Sequence, residues 1–222
     1  MKHWYSSAVA ACFTVAVVLS SGLNGLVASE TSPLVRTPAR IAPGRPHPHM
    51  LASRLGRPYH VITPMMAHTV HWIQHYNPQV VQPDAEHYVT TIWQVSKEHH
   101  VDPLLIVSLV AQESAFRPDA TSRVGAQGLG QLMPETASEL KVDDPYDADD
   151  NLGGCIKLVR SNLCFFNGQV KNAVAAYNAG PGAVVHYHGI PPYRETRNYV
   201  HQILRNYSSL RKEVYSNVTP SG

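Results

Sequence analysis

The sequence of 222 residues is long enough for one domain of ordinary size and too short for two large ones. Apolar residues make up 44% of it, as in globular proteins, whereas charged residues make up only 15%. The formal net charge of +2 is far from the strongly basic balance of nucleic-acid binders. The composition therefore predicts one folded domain and argues against a nucleic-acid partner.

Residues 1–29 have the layout of a secretory signal peptide. Lys2 and His3 precede an uncharged apolar run over Ala8–Leu19, and small residues follow at Ala28 and Ser29. The run is shorter than the roughly 20 apolar residues that cross a bilayer. We therefore predict export, cleavage near residue 28 or 29, and a periplasmic or secreted mature protein without stable membrane insertion. An uncleaved inner-membrane anchor is the alternative.

Residues 30–62 have the composition of a linker. Six prolines occur there among arginine, histidine and glycine, with no sustained hydrophobic period. We predict a flexible Pro/His-rich linker over residues 30–62 and a folded domain over residues 63–222.

Helical signals fill the rest of the chain and never give way to the alternation of strands. Several segments open with a capping residue followed by proline, as at Thr63-Pro64 and Asp102-Pro103. The predicted class is all-α. The predicted helices run from Pro64 to about Tyr76, Pro83 to about His99, Leu104 to Glu113, Pro134 to Leu140, Asn151 to Leu163, Val170 to Tyr177, Gly182 to His188 and Glu195 to about Leu210.

Two cysteines remain if Cys12 leaves with the signal peptide. Cys155 and Cys164 both fall in one predicted helix. A rise of 1.5 Å per residue would place them about 13 Å apart, beyond the reach of a disulfide. They can pair only if that helix ends before Cys164; otherwise they are small, partly buried apolar residues.

Glu113 stands out because it ends a predicted helix whose other residues are almost all apolar. A helix of that kind is buried on nearly every side. Burying an unpaired carboxylate is costly, so this one is paired, reaches the surface or has a function. The loop that follows, residues 117–130, is rich in small residues, which let a backbone approach a ligand closely. Glu113 is therefore the leading candidate for chemistry.

Four motifs follow one another along the chain. They are Glu-Ser at 113–114, Gly-Leu-Gly-Gln-Leu-Met-Pro at 128–134, Ala-Tyr-Asn-Ala-Gly at 176–180, and Pro-Tyr-Arg-Glu-Thr-Arg-Asn-Tyr-Val at 192–200. In this order they closely resemble the catalytic domain of the soluble lytic transglycosylases, over residues 84 to 207. The resemblance implies a lysozyme-like, mostly helical fold. It also implies cleavage of peptidoglycan glycan strands between N-acetylmuramic acid and N-acetylglucosamine.

The resemblance further implies roles for residues within these motifs. Glu113 would act alone as acid and base. It would protonate the glycosidic oxygen and then take the proton of the sugar's own C6 hydroxyl, which closes a 1,6-anhydro ring without water, metal or cofactor. A protein site that binds glycans uses hydrogen-bonding side chains and the faces of aromatic rings. The residues that would surround the saccharide are Ser114, Ser122, Gln131, Met133, Tyr177, Asn178, Glu195 and Tyr199.

Two other functions remain open at this stage. A hydrolase of the same fold would need a second carboxylate, as ordinary glycosidases do, and Asp119, Glu135 and Glu195 are the candidates. A cell-wall binding or docking module is the second alternative, which an intact Glu113 disfavours. The Pro/His-rich segment suggests docking in addition to catalysis, with a secretion, pilus or conjugation machine as the partner.

One motif position departs from the family, which commonly has Met where this chain has Gly130. We expect this glycine to remove a hydrophobic contact near the cleft and to add backbone freedom.

Three histidines, His68, His71 and His75, share one face of the first predicted helix. No Asp, Glu or Cys at helical spacing completes a set of metal ligands there. We therefore interpret them as a polar helix face and predict no metal.

Overall fold

The fold is described from a computed structural model, which covers residues 62–218. The predicted signal peptide and the predicted linker up to residue 61 lie outside the described residues. So does Cys12.

Eight helices make up the regular structure of residues 62–218, and extended pairing there is limited to isolated bridges in one loop. The all-α prediction is confirmed. The helices are α1 (Pro64–Tyr76), α2 (Gln82–His99), α3 (Pro103–Ser114), α4 (Pro134–Glu139), α5 (Ala148–Phe165), α6 (Val170–Ala179), α7 (Pro181–His186) and α8 (Arg194–Val218).

The helix starts follow from capping chemistry. Thr63 accepts a hydrogen bond on Oγ1 from the backbone N–H of Met66, at 3.3 Å. Asp102 caps α3 through Oδ1, which lies 2.9 Å from the backbone N of Leu104. Proline occupies the first turn of both helices, where its missing N–H would have no partner in any case.

Helix α3 lies at the centre of the domain. Its residues from Leu104 to Ala111 are all buried, as the almost wholly apolar sequence predicts. Helices α2 and α8 pack against it, and α5 packs against α2 and α6. Helix α1 packs on α2 and α8, while α6 lies against α7 and α8. This arrangement brings the C-terminal end of α3 next to the first turns of α8.

Helix α8 is longer than the sequence prediction, which ended it near Leu210. It continues to Val218 because Leu210 and Val214 are fully buried and lie one turn apart on the same face. Helix α5 includes both Cys155 and Cys164, so the condition for their pairing is not met. No helix within residues 62–218 is both long and apolar enough to cross a membrane.

Candidate active site

Glu113 lies in the last turn of α3 with only 9% of its surface exposed. Its Oε1 accepts a hydrogen bond of 2.5 Å from the hydroxyl of Tyr199, on the second turn of α8. A buried carboxylate needs such a partner, because losing water without replacing its hydrogen bonds is costly. The carboxyl group is therefore held in a fixed orientation by a residue 86 positions away in the chain.

The chain reverses sharply directly after this turn. Ala115 has φ 52° and ψ 40°, and Phe116 has φ 61°. Both angles lie in the left-handed region, which costs a residue other than glycine about 1 to 3 kcal/mol. Phe116 is only 1% exposed, so its packing in the core helps to hold the turn. Ser114, which precedes it, is buried, and its hydroxyl lies 3.4 Å from the carbonyl oxygen of Val110.

The loop between α3 and α4 is held together by two of the predicted saccharide-binding residues. Gln131 donates from Nε2 to the carbonyl oxygens of Ala120, at 3.0 Å, and Gly128, at 2.9 Å. Ser122 accepts on Oγ from the backbone N–H of Ala126, at 2.9 Å. Both side chains therefore shape the loop, and their contact with a saccharide stays a prediction.

Asn151, in the first turn of α5, binds the same loop through hydrogen bonds from its side chain. It is fully buried, and its Nδ2 donates to the carbonyl oxygens of Gln127, at 3.0 Å, and Pro145, at 2.7 Å. Its Oδ1 accepts from the backbone N–H of Gly130, at 2.7 Å. From the sequence alone, Asn151 is predicted only to begin a helix. A polar residue beside the apolar run of α5 was the only available signal.

The expectation of added backbone freedom at Gly130 is wrong, and the absence of a side chain at this position leaves no empty space. A Cβ built on Gly130 would lie 2.8 Å from Cβ of Cys155 and 3.1 Å from the hydroxyl of Tyr177, so the space is already filled. The backbone has no added freedom, because Asn151 binds the N–H of Gly130 and Tyr177 donates to its carbonyl oxygen at 2.7 Å. Burial raises the pKa of the Cys155 thiol to about 12; the hydrogen bond with Tyr177 lowers this pKa in part, and the nearby charge of Glu113 raises it further.

A second polar group lies where α6 meets the first turn of α8. Thr196 donates from Oγ1 to Oδ1 of Asn178 at 2.8 Å. Nδ2 of Asn178 and Oε1 of Glu195 are buried and have no hydrogen-bond partner. Burial also raises the pKa of the Glu195 carboxyl. Buried polar atoms without partners are uncommon in native proteins, and a bound ligand is one way to satisfy them.

The remaining candidates lie at the edges of this region. Met133 is half-buried at the start of α4, Glu135 is exposed in the first turn of that helix, and Asp119 is half-buried in the loop after α3. Glu195 precedes Tyr199 by one helical turn and so shares a face of α8 with it. Of the three candidate second carboxylates, Glu195 is the one that lies one helical turn from Tyr199, the hydrogen-bond partner of Glu113.

No cluster of three or more His, Cys, Asp or Glu side chains in the described part of the chain is arranged to hold a metal ion. This part includes His68, His71 and His75 on α1.

The all-helical fold of the described residues, with the buried Glu113 at the end of α3, can be compared with known proteins. The family model described as the Transglycosylase SLT domain matches residues 90–200, half of the chain. The chain belongs to this family. The resemblance seen in the four motifs is therefore confirmed.

Relatives share the domain but are longer proteins. A transglycosylase of Enterobacteria phage PRD1 is 43% identical over 90 residues, which cover 40% of this chain and 34% of that protein. The membrane-bound lytic murein transglycosylase D of Escherichia coli K12 is 30% identical over 139 residues, 54% of this chain and 30% of that protein. The chain thus spans about a third of the length of these relatives.

Solved structures agree with the fold. An inactive mutant of the lytic transglycosylase Slt from Pseudomonas aeruginosa is 31% identical, with a TM-score of 0.52 over 57% of this chain and 24% of that chain. The 70 kDa soluble lytic transglycosylase of Escherichia coli is 21% identical, with a TM-score of 0.55 over 67% of this chain and 29% of that chain. The second comparison supports the fold alone.

Proposed function

We propose that this domain is a peptidoglycan lytic transglycosylase with Glu113 as its single acid and base. The observation that carries the proposal is the buried Glu113 carboxyl, fixed by the Tyr199 hydroxyl in a domain of the SLT family. The bond broken is the β-1,4 linkage between C1 of N-acetylmuramic acid and O4 of N-acetylglucosamine.

The proposed proton steps start from the acid form of Glu113. Because Oε1 of Glu113 accepts from Tyr199, we place the transferable proton on the other carboxyl oxygen. That proton passes to the glycosidic oxygen as the bond from C1 to O4 breaks. The C6 hydroxyl of the same muramic acid attacks C1, and its proton returns to Glu113. The attack is intramolecular, which gives it the advantage of proximity over free water.

The unpartnered buried groups suit the substrate's acetamide. An acetamide offers one carbonyl acceptor and one N–H donor, which complement Nδ2 of Asn178 and Oε1 of Glu195. The hydroxyl of Thr196 donates to Oδ1 of Asn178, so Nδ2 is the end of this amide that remains for a ligand. We assign the remaining saccharide contacts to the predicted residues of the cleft, which are Ser114, Ser122, Gln131, Met133, Tyr177 and Tyr199.

A hydrolase is the second candidate, and one observation favours it. Glu195 has a raised pKa and an unpartnered carboxyl oxygen, and it lies one turn from Tyr199. Positioned near Glu113, it would serve as the second carboxylate that activates water. Asp119 and Glu135 have no comparable feature.

The glutamate is tested by Glu113→Gln, which keeps the shape of the side chain and loses the transferable proton. Clearing of purified sacculi should be abolished, while the circular dichroism spectrum and the thermal midpoint stay close to those of the wild type. Glu98→Gln, an exposed site on α2, is the matched control and should clear sacculi normally. Wild-type clearing by the Glu113 variant would overturn the assignment.

We also propose export of the chain to the compartment that holds its substrate. The proposal is supported by the charged start, apolar run and small residues of segment 1–29. N-terminal sequencing of the mature protein tests cleavage.

The Pro/His-rich segment suggests a second role, the local opening of the cell wall for a secretion, pilus or conjugation machine. Loss of the machine's assembly on deleting residues 30–61, with catalytic activity intact, tests docking.

A further inference from the structure

Helix α1 makes a direct contact with the turn that follows Glu113. Asn77, the capping residue directly after α1, donates from Nδ2 to the carbonyl oxygen of Ala115 at 2.7 Å. Ala115 is the second residue after Glu113 and the first with a left-handed backbone. The contact joins positions 38 residues apart.

The orientation of the Asn77 amide is fixed by its other bonds. Its Oδ1 accepts from the backbone N–H of Gln79 at 3.0 Å, so Nδ2 is turned the other way, towards Ala115. The backbone N–H of Asn77 bonds to the carbonyl oxygen of Ile73 at 2.8 Å, and its own carbonyl oxygen accepts from Val80 at 3.1 Å. The side-chain amide of Asn77 is therefore held in one orientation, with Nδ2 facing the carbonyl oxygen of Ala115.

Aromatic packing holds the other residue of the turn. Tyr76 lies edge-on to Phe116 with ring centroids 6.4 Å apart, and it stacks on Trp72 at 5.2 Å. Phe116 has the second left-handed backbone in the turn. Both unfavourable conformations are thus supported by the C-terminal end of α1. Such conformations persist only where surrounding contacts determine them.

We infer that the end of α1 positions the catalytic carboxyl, with Asn77 as the positioning residue. The inference rests on the proposed function. Residues 64–77 lie outside the part of the chain that the family model matches, residues 90–200, and the motifs of the family do not include Asn77. Without the bond to Ala115 the turn can relax, and the last turn of α3 then moves Glu113 relative to Tyr199 and the bound sugar.

Asn77→Asp tests the inference because it keeps the oxygen that Gln79 needs and loses the donor for Ala115. Because it also adds a negative charge, the neutral Asn77→Ser, which is too short to reach Ala115, is measured beside it and must lower kcat as well. The matched control is Tyr207→Phe at the other end of α3, which removes the 2.6 Å bond from the Tyr207 hydroxyl to Oδ2 of Asp102. Both changes break one hydrogen bond that holds an end of α3. Only the Asn77 change acts on the end that carries Glu113.

We expect Asn77→Asp to lower kcat by about ten- to a hundred-fold, the scale of a catalytic group misplaced by up to 1 Å. Its KM should stay within about two-fold, and Tyr207→Phe should leave kcat within about two-fold while lowering the thermal midpoint. Equal kcat losses in the two variants would mean that Asn77 only stabilises the fold. An unchanged kcat in Asn77→Asp would overturn the inference directly.

A second readout does not need turnover. The carboxyl ¹³C resonance of Glu113, assigned by its loss in Glu113→Gln, should shift in Asn77→Asp and stay in place in Tyr207→Phe. If the wild type clears no sacculi but the resonance shifts, the positioning stands and the proposed function fails. If the wild type is active and neither kcat nor the resonance changes, the positioning fails. Asn77→Ser gives the same comparison should the Asp variant not fold.

Discussion

Gly130 and Cys155 compete for the same space, because a Cβ on Gly130 would lie 2.8 Å from Cβ of Cys155. Side-chain Cβ atoms do not approach so closely, so the two positions limit each other's volume. Cys155 lies near enough to Glu113 for the carboxylate charge to contribute to the raised thiol pKa. The motif position where the family commonly has Met is therefore matched to its neighbour in this chain.

This pairing predicts non-additive effects on stability. Gly130→Ala should lower the free energy of unfolding by about 1 to 3 kcal/mol, as overpacking does. Cys155→Gly should also destabilise, since it leaves a cavity and puts glycine in a helix. The double variant should lose at least about 1 kcal/mol less than the sum of the two. Urea unfolding of the four proteins measures this, and simple additivity would contradict the shared space.

Tyr199→Phe removes the hydroxyl that fixes Oε1 of Glu113. Glu113 gains negative charge as it gives up its proton. A hydrogen bond to a charged group contributes about 1.5 to 3 kcal/mol, and 1.4 kcal/mol corresponds to a ten-fold change in rate. We expect kcat on sacculi to fall about ten-fold or more. Tyr215→Phe, at a half-exposed ring near the end of α8, is the control and should keep full activity. An unchanged kcat in Tyr199→Phe would show that the carboxyl is oriented by other groups.

Glu195 makes stability depend on pH. Burial raises the pKa of its carboxyl above the ordinary value of 4.5, so the native state keeps a proton that the unfolded chain has lost. Stability therefore falls as pH rises from 4.5 through the folded-state pKa, and it stays reduced above that value. Glu195→Gln has no such proton. Its thermal midpoint relative to the wild type should rise between about pH 4 and about pH 7.

The exposed Glu98→Gln on α2 is the control for this measurement and should show no such rise. A midpoint difference for Glu195→Gln that is constant with pH would mean that the carboxyl remains hydrated in the native state.

Local signals explain how much of the fold could be predicted from the sequence. Prolines in first turns and capping side chains at Thr63 and Asp102 gave the starts of α1 and α3. The end of α8 was missed because it depends on burial of Val214 against the rest of the domain. Helix propensity alone does not report such tertiary packing.

The candidate site was predicted only in part for a related reason. Motifs identified Glu113 and Tyr199, but their contact spans 86 residues, and no local pattern encodes a distance of that kind. The same holds for Gly130 with Cys155 and for the bond of Asn77 to the turn after α3. The residue types in the motifs predict the chemistry, but tertiary packing decides which of these residues contact one another.

The ends of the released fragments test the central claim, that Glu113 works without a second carboxylate. Muropeptides released from purified sacculi should end in 1,6-anhydro-N-acetylmuramic acid. They should be lighter by one water than hydrolytic products, and they should resist borohydride because they have no free aldehyde. Mass analysis before and after borohydride treatment measures both properties. Fragments with reducible ends would contradict the account, since water would then be the nucleophile and Glu195 the first residue to mutate.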